Sequence, residues 1–487
     1  MLRRAFVAAL SRVSVIFALF VAVFLFPLAA RAQAPVALPY TMTTMAGLAP
    51  MSATAGTACP NLPAGQVSQD AYGDGCLAVN GIFGAAGRGG VVADAYGDIF
   101  VADDVDSVIH MINPSSGIMT RLAGQGSVCS AKLDGSGDGC LAATQTSIGS
   151  QRGIGIDQWG NVFLPGYGDH IAHIICRAAS PLCTPAQVGT MQAVAGCVTN
   201  TGTNGTSGTG LDNTIALTLN AGACSTSLGE INTPRGIAAD LYGNVYIAET
   251  ATYRFRVVLG PQTSPYFSGT NPLWTALAVH YPSLTQGFAY TVVDIGGDTA
   301  ATTAGASCSE TTNGTAYSGA ALDKLGDGCP LDFSSVSTGS SSYVQGVATD
   351  SAGNLVFTDP GNGRLRVFFV SSAGTAGAAM AAAITANNPT VTTPQPGFVY
   401  SLAGGGSTSI SGTPTLGSST SGIDSSIFKV AVSPQGNIFL GDNSKVEFFD
   451  IATGYIRTLF SAASANVTAG NFCNGSSGQT SLSAYSD

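Results

Sequence analysis

Charge is what this chain has least of. Only 9% of its residues are Asp, Glu, Lys or Arg, and four of those are lysines. Helical bundles cover their surfaces with Lys and Glu, so that class is excluded. Histidine is sparse too, at four residues. No Gly-x-Ser-x-Gly elbow and no phosphate-binding loop occurs, so neither an elbow-type hydrolase nor a P-loop enzyme is indicated. Glycine fills the space instead, at 63 residues, alongside abundant Ser, Thr and Ala and a 45% apolar share. That composition suits short strands joined by turns and long polar loops. The 487 residues allow several domains or one repeat fold.

The only long apolar run stands at the start. Arg3, Arg4 and Arg12 make a basic opening, Val13 to Leu28 is almost wholly apolar, and Ala30-Arg31-Ala32 supplies small residues. This predicts a signal peptide over 1–32, cut after Ala32. The alternative is an uncleaved anchor. No second segment is apolar enough to span a membrane. The expected location is therefore outside the cell or in the envelope, as periplasm or cell surface. Without residues 1–32 the chain keeps 14 cations against 28 acids, a net charge of −14. An acidic surface repels phosphate backbones, so the expectation is no basic face and no nucleic-acid partner.

Five segments align without gaps around one turn. Gly90 to Asp94 runs through Gly97-Asp98 to Asp103, and Gly153 to Asp157 through Gly160-Asn161 to Leu164. The others are Gly236 to Asp240 through Gly243-Asn244 to Glu249, Gly346 to Asp350 through Gly353-Asn354 to Asp359, and Val430 to Ser433 through Gly436-Asn437 to Asp442. A run of small apolar residues forms a first strand. Asp-x-x-Gly-Asn forms a hairpin loop in which Asp holds the amides ahead and Gly takes the left-handed position. A bulkier run, such as Val245-Tyr246-Ile247, forms a second strand. Third strands follow at Arg364–Phe369 and Lys445–Phe449. Fourth strands close each unit at 117–124, 191–196, 288–293, 398–404 and 454–460. Four antiparallel strands make a propeller blade.

The series P-x-G-[IV]-A-x-D-x-x-G-N-[VI]-[YF]-[VI]-A-[DE] resembles the NHL repeat, most closely over Pro234 to Glu249. Asp359 to Arg366 also matches that family's turn into the third strand. The resemblance covers roughly residues 40–460 and implies an all-β, NHL-type β-propeller over 33–465. The repeat turns are 63, 83, 110 and 83 residues apart, whereas a blade needs about 40 to 50. The surplus lies in loops between blades and in 260–287 and 371–397, each of which suggests a short helix. Such loops on a rigid scaffold either carry function or have drifted.

Eleven cysteines in an exported chain read as disulfides. Three inter-blade loops repeat one pattern: Cys59 with Gly73-Asp74-Gly75-Cys76, Cys129 with Gly137-Asp138-Gly139-Cys140, and Cys308 with Gly326-Asp327-Gly328-Cys329. Cys197 and Cys224 fit the same slot, and Cys176 and Cys183 form a separate close pair. All five are expected as local disulfides rather than metal sites, for lack of zinc-ligand spacing. Cys473 is left over after the fifth fourth-strand. Residues 40–47 read as a fourth strand with no first three. Together these predict a six-bladed design with five complete blades, one lone N-terminal strand, and a truncated sixth blade beginning at 466–487. The alternative is an open five-blade arc.

Asp103, Glu249, Asp359 and Asp442 end second strands, where they would face one mouth of the channel. With Asp104 and Asp106 they are the candidate ligands for Ca²⁺; the competing reading is that each caps its own turn. His110 and His173 fall on third strands and are expected at the surface or between blades, and no His falls on a first strand. Asn204, Asn313, Asn466 and Asn474 are glycosylation sequons, meaningful where the source glycosylates secreted proteins. The functional expectation is an exported, non-catalytic, monomeric module that binds protein or carbohydrate. The alternative is a lactonase-like propeller hydrolase with a channel-bound divalent cation, and a sensor ectodomain is disfavoured.

Overall fold

The computed structural model describes residues 45–461 apart from 49, 85–88, 200–211, 222–228, 294–303, 306, 310–315, 331–335, 337–345, 421, 424–428 and 442–444. All of these fall within one unit, Thr43–Tyr485. They form a five-bladed β-propeller. Blade 1 pairs Val91–Ala93, Ile99–Asp103, Val108–Ile112 and Met119–Ala123 in sequence order, antiparallel throughout. Blades 2 to 5 repeat this order from Gly155–Ile156, Pro234–Ala239, Val347–Thr349 and Lys429–Val432. Cys224 and Cys473 lie outside the described residues, as do Asp442, the sequons at 204, 313, 466 and 474, and the segments 1–32 and 466–487. So do the first five residues of the expected lone strand, and Met45–Leu48 form no strand.

The Asp-x-x-Gly-Asn turn explains why this hairpin recurs. Asp240 accepts from the N–H groups of Tyr242 at 2.9 Å and Asn244 at 3.0 Å. Asn244 donates its amide back to Asp240 at 2.7 Å, and its carbonyl accepts from the Gly260 N–H at 2.8 Å. The motif therefore ties the hairpin to the end of the third strand. Gly243 sits at φ +80°, where a side chain would be strained. Asp157 with Asn161 and Asp350 with Asn354 repeat the geometry. Burial pushes the Asp157 and Asp240 carboxyls up to about 6, against the lowering effect of these hydrogen bonds.

Small first strands let the blades meet at the centre. A Cβ on Gly153 would stand 2.2 Å from the Arg235 carbonyl oxygen, so only glycine fits where blades 2 and 3 touch. The bulky second and third strands fill the gaps between blades. Phe255 of blade 3 meets Phe357 of blade 4 with ring centroids 4.7 Å apart. Each such buried aromatic contributes about 1.5–3 kcal/mol. The two long loops do contain helices, Leu273–Leu277 and Gly374–Asn387. The second buries Met380, Ala383 and Ile384 against blades 4 and 5.

The cysteine loops cap blade edges. Four disulfides join Cys59–Cys76, Cys129–Cys140, Cys176–Cys183 and Cys308–Cys329, and Cys197 is also disulfide-bonded. These are the mark of an oxidising compartment. No helix among the described residues is long and apolar enough to cross a membrane. Each Gly-Asp-Gly-Cys stretch lies along the fourth strand of the blade that follows it. Gly75 N–H donates to the Met119 carbonyl at 2.7 Å, and Met119 N–H to the Cys76 carbonyl at 2.9 Å. Gly139 and Cys140 do the same at Met191, and Gly328 and Cys329 at Val399. The loop thus forms a short bridge along an otherwise open edge. Strands Thr214–Ile215 and Thr415–Leu416 fill that place in blades 3 and 5.

Candidate functional site

The second-strand carboxylates turn along their own blades. Asp103 accepts from the N–H groups of Gly84 at 2.6 Å and of Val105 and Asp106 at 3.1 Å. Glu249 pairs with Arg254 at 3.0 Å and Arg256 at 3.3 Å. Asp359 pairs with Arg366 at 3.2 Å and accepts from the Asn362 amide at 2.8 Å. Asp106 stands beside Asp103, and burial together with that neighbouring charge raises its carboxyl pKa. Glu249 and Asp359 lie in separate blades from this pair. Among the described residues, no group of three or more His, Cys, Asp or Glu could hold a metal ion.

One register position on the third strand carries a buried ionisable side chain in every blade: His110, His173, Arg256, Arg366 and Glu447. In the first four blades an acid from the preceding edge loop reaches it. His110 Nδ1 meets Asp74 at 3.1 Å, Arg256 meets Asp212 at 3.5 Å, and Arg366 Nε meets Asp327 at 2.9 Å. His173 lies 3.3 Å from Asp169 and 3.8 Å from Asp134. Burial lowers the His173 pKa, but the Asp169 hydrogen bond and the charges of Asp169, Asp134 and Asp138 outweigh it, raising the imidazole to about 9. Of the expected surface or inter-blade places, the surface alternative is overturned. Both rings are buried, His110 against Asp74 of the edge loop and His173 against Asp169 of its own blade's turn and Asp134 of the edge loop.

The central mouth is built differently. Arg152 and Arg235 each stand five residues before their turn aspartates, Asp157 and Asp240, at the start of blades 2 and 3. Their guanidinium carbons lie 3.9 Å and 5.2 Å from the centroid of one ring, Tyr167. Lys429, which opens the first strand of blade 5, donates from Nζ to the Arg152 carbonyl. Burial lowers the Lys429 amine to about 8; Asp104 raises it and Arg235 lowers it further. Blade 1 has Gly89 and Gly90 at the corresponding place. There a cavity of about 460 Å³ opens, lined by Phe83, Gly89, Val101, Asp103 and Asp104 among others. The structure gathers three of the few cations near the axis. Sequence reasoning passed over these residues, although Arg-Gly at 152–153 and at 235–236 repeats in register.

No protein-family model matches the chain, and no curated protein does either. Solved structures with a similar fold include a Bacteroides thetaiotaomicron protein of unknown function, 9% identical with a TM-score of 0.37. That match covers 78% of this chain and 59% of the other, so this chain spans well under two thirds of that protein. A virginiamycin B lyase from Staphylococcus aureus is 10% identical over 78% of this chain and 85% of its own, with a TM-score of 0.33. A nidogen/laminin complex gives 13% identity over 77% and 78%, with a TM-score of 0.34.

Proposed function

We propose that this chain is an exported, NHL-type propeller that acts as a non-catalytic binding module for protein or carbohydrate, and that its ligand enters the central mouth. One contrast carries the reading. Glu249 and Asp359 are paired within their own blades, whereas Asp103 and Asp104 line a cavity of about 460 Å³ at blade 1, with Arg152, Arg235 and Lys429 opening blades 2, 3 and 5 around the same axis. A rigid ring with charges held at its centre is suited to holding a ligand, and fold alone carries no activity.

The test is a glycan and peptide array probed with the full chain, read beside metal analysis of dialysed protein. Saturable binding with no stoichiometric metal is the expected result. Stoichiometric Ca²⁺ that is lost in Asp103→Asn and Asp359→Asn would overturn it in favour of the lactonase-like hydrolase.

A further inference from the structure

We propose that the hairpin-turn end of the propeller binds a neutral polysaccharide, stacking its sugar rings on a row of aromatic side chains that crosses blades 1, 2 and 3. The row lies apart from the central mouth, because Trp159 and Tyr242 stand at the far end of the first strands that begin beside Arg152 and Arg235. It therefore stands or falls separately from the reading above. The repeat sets its position. Tyr96, Trp159 and Tyr242 each follow their turn aspartate by two residues, and each donates its N–H to that carboxylate, at 2.9, 3.0 and 2.9 Å. One bond thus holds three aromatic residues at the same place in three consecutive blades. The turn does not need a ring there. Blade 4 carries Ala352, whose N–H reaches Asp350 at 2.8 Å, and blade 5 carries Gln435.

The long loop of blade 3 extends the row. Tyr266 meets Trp159 with ring centroids 6.2 Å apart, and Phe267 meets Tyr242 at 5.0 Å, both edge to face. Two consecutive residues thus reach the turns of two blades and join them into one aromatic strip. Packing alone does not account for it, since Tyr96 is 89% and Tyr266 36% exposed. Within the described residues, Tyr96, Trp159 and Tyr266 donate through their backbone N–H groups. That leaves two phenol hydroxyls and one indole N–H for a ligand. Charge narrows the choice of polymer. Arg177 joins the turns of blades 1 and 2, and is already paired with Asp94 at 2.9 Å and Asp98 at 3.6 Å. With that cation neutralised, the strip does not attract a nucleic acid or an acidic glycan. Aromatic faces carry partial negative charge and attract the C–H groups of a sugar ring, while donors at the ring rims reach its hydroxyls. One aromatic residue per blade, repeated over three blades, fits a ligand made of repeating units.

The experiment titrates the full chain with cellohexaose, mannohexaose, chitohexaose, glucose, hexagalacturonate and a proline decamer, followed by calorimetry and tryptophan fluorescence. At least one neutral hexasaccharide should bind and shift the emission. Glucose, hexagalacturonate and the proline decamer should bind about tenfold more weakly or not at all. The shift should be absent in Trp159→Phe and kept in Trp274→Phe, the other of the chain's two tryptophans. Tyr96→Ala and Trp159→Ala should each weaken binding about fivefold to tenfold while the chain stays folded by circular dichroism. Tyr96 is exposed enough that its variant keeps the test valid if Trp159→Ala misfolds. Failure of every neutral hexasaccharide to bind, or equal binding of hexagalacturonate or the proline decamer, would overturn the inference. A hexasaccharide that binds both alanine variants as well as the wild type would leave the binding reading standing and sink only this assignment.

Discussion

Arg366 and Asp327 lie 39 residues apart in the chain and meet with Nε 2.9 Å from Oδ1, both side chains fully buried. One belongs to the third strand of blade 4, the other to the disulfide loop that covers the edge of the same blade. A buried ion pair contributes little net energy against apolar residues, but breaking it strands a charge. Asp327→Ala should therefore cost about 3–5 kcal/mol. The triple variant Asp327→Leu, Arg366→Met and Asp359→Asn, which leaves no buried carboxylate unpaired, should recover most of that loss. Urea unfolding of the two variants measures the difference.

The disulfides should rank by loop length. Cys308–Cys329 closes 21 residues of separation and Cys176–Cys183 closes 7. The chain-entropy account gives about 3 kcal/mol for the first and about 2 kcal/mol for the second. Serine replacement of each pair, followed by chemical unfolding, checks the order. An equal loss from both would mean that strain rather than chain entropy governs them.

Stability should depend on pH through His173. Its folded pKa of about 9 lies above the ordinary histidine value of 6.5. The folded state therefore holds its proton where the unfolded chain has released it. The contribution is complete below pH 6.5 and disappears as pH rises through 9. Asp169 acts at the other end. Burial raises its carboxyl, but the His173 hydrogen bond and charge outweigh that and hold it below 3.8, so its contribution is lost only in acid. Unfolding midpoints at pH 6 and pH 9.5 should differ in the wild-type chain. In His173→Gln the fall toward pH 9.5 should be lost, leaving the opposing contribution of Lys429, whose buried amine titrates at about 8.

The hairpin turn makes a further quantitative expectation. In blade 4, Asn354 donates to Asp350 and to the Ser371 carbonyl, and accepts from Val370 and Ser371 N–H groups at 2.7 and 2.9 Å. Asn354→Ala leaves buried donors without an acceptor and should cost about 2–3 kcal/mol. Hydrogen exchange at Val370 and Ser371 should quicken more than at the first strand of the same blade.

The blades were legible because their information is local. Asp157, Gly160 and Asn161 lie within one turn, and the same spacing recurs at Asp240 and Asp350. The two helices were legible as runs of Ala and Leu after a third strand. The disulfide partners were legible from the repeated Gly-Asp-Gly-Cys. What that loop does was not. Asp74 finds His110 across 36 residues, and nothing in either neighbourhood announces the other. The same holds at the axis. Arg152, Tyr167, Arg235 and Lys429 come together only because the blades close around a common centre, and no linear spacing encodes that meeting. A net charge of −10 says nothing about where three cations gather.

The edge-covering loops have a consequence for the order of assembly. Each loop precedes the blade whose rim it protects. During synthesis from the N-terminus, the Cys59–Cys76 loop therefore emerges before Met119, and the Cys308–Cys329 loop before Val399. Each of these rings can therefore close once it reaches an oxidising compartment, ahead of the strand it will cover. The nascent propeller thus carries its own guard against sticking to a neighbour ahead of the surface that needs guarding.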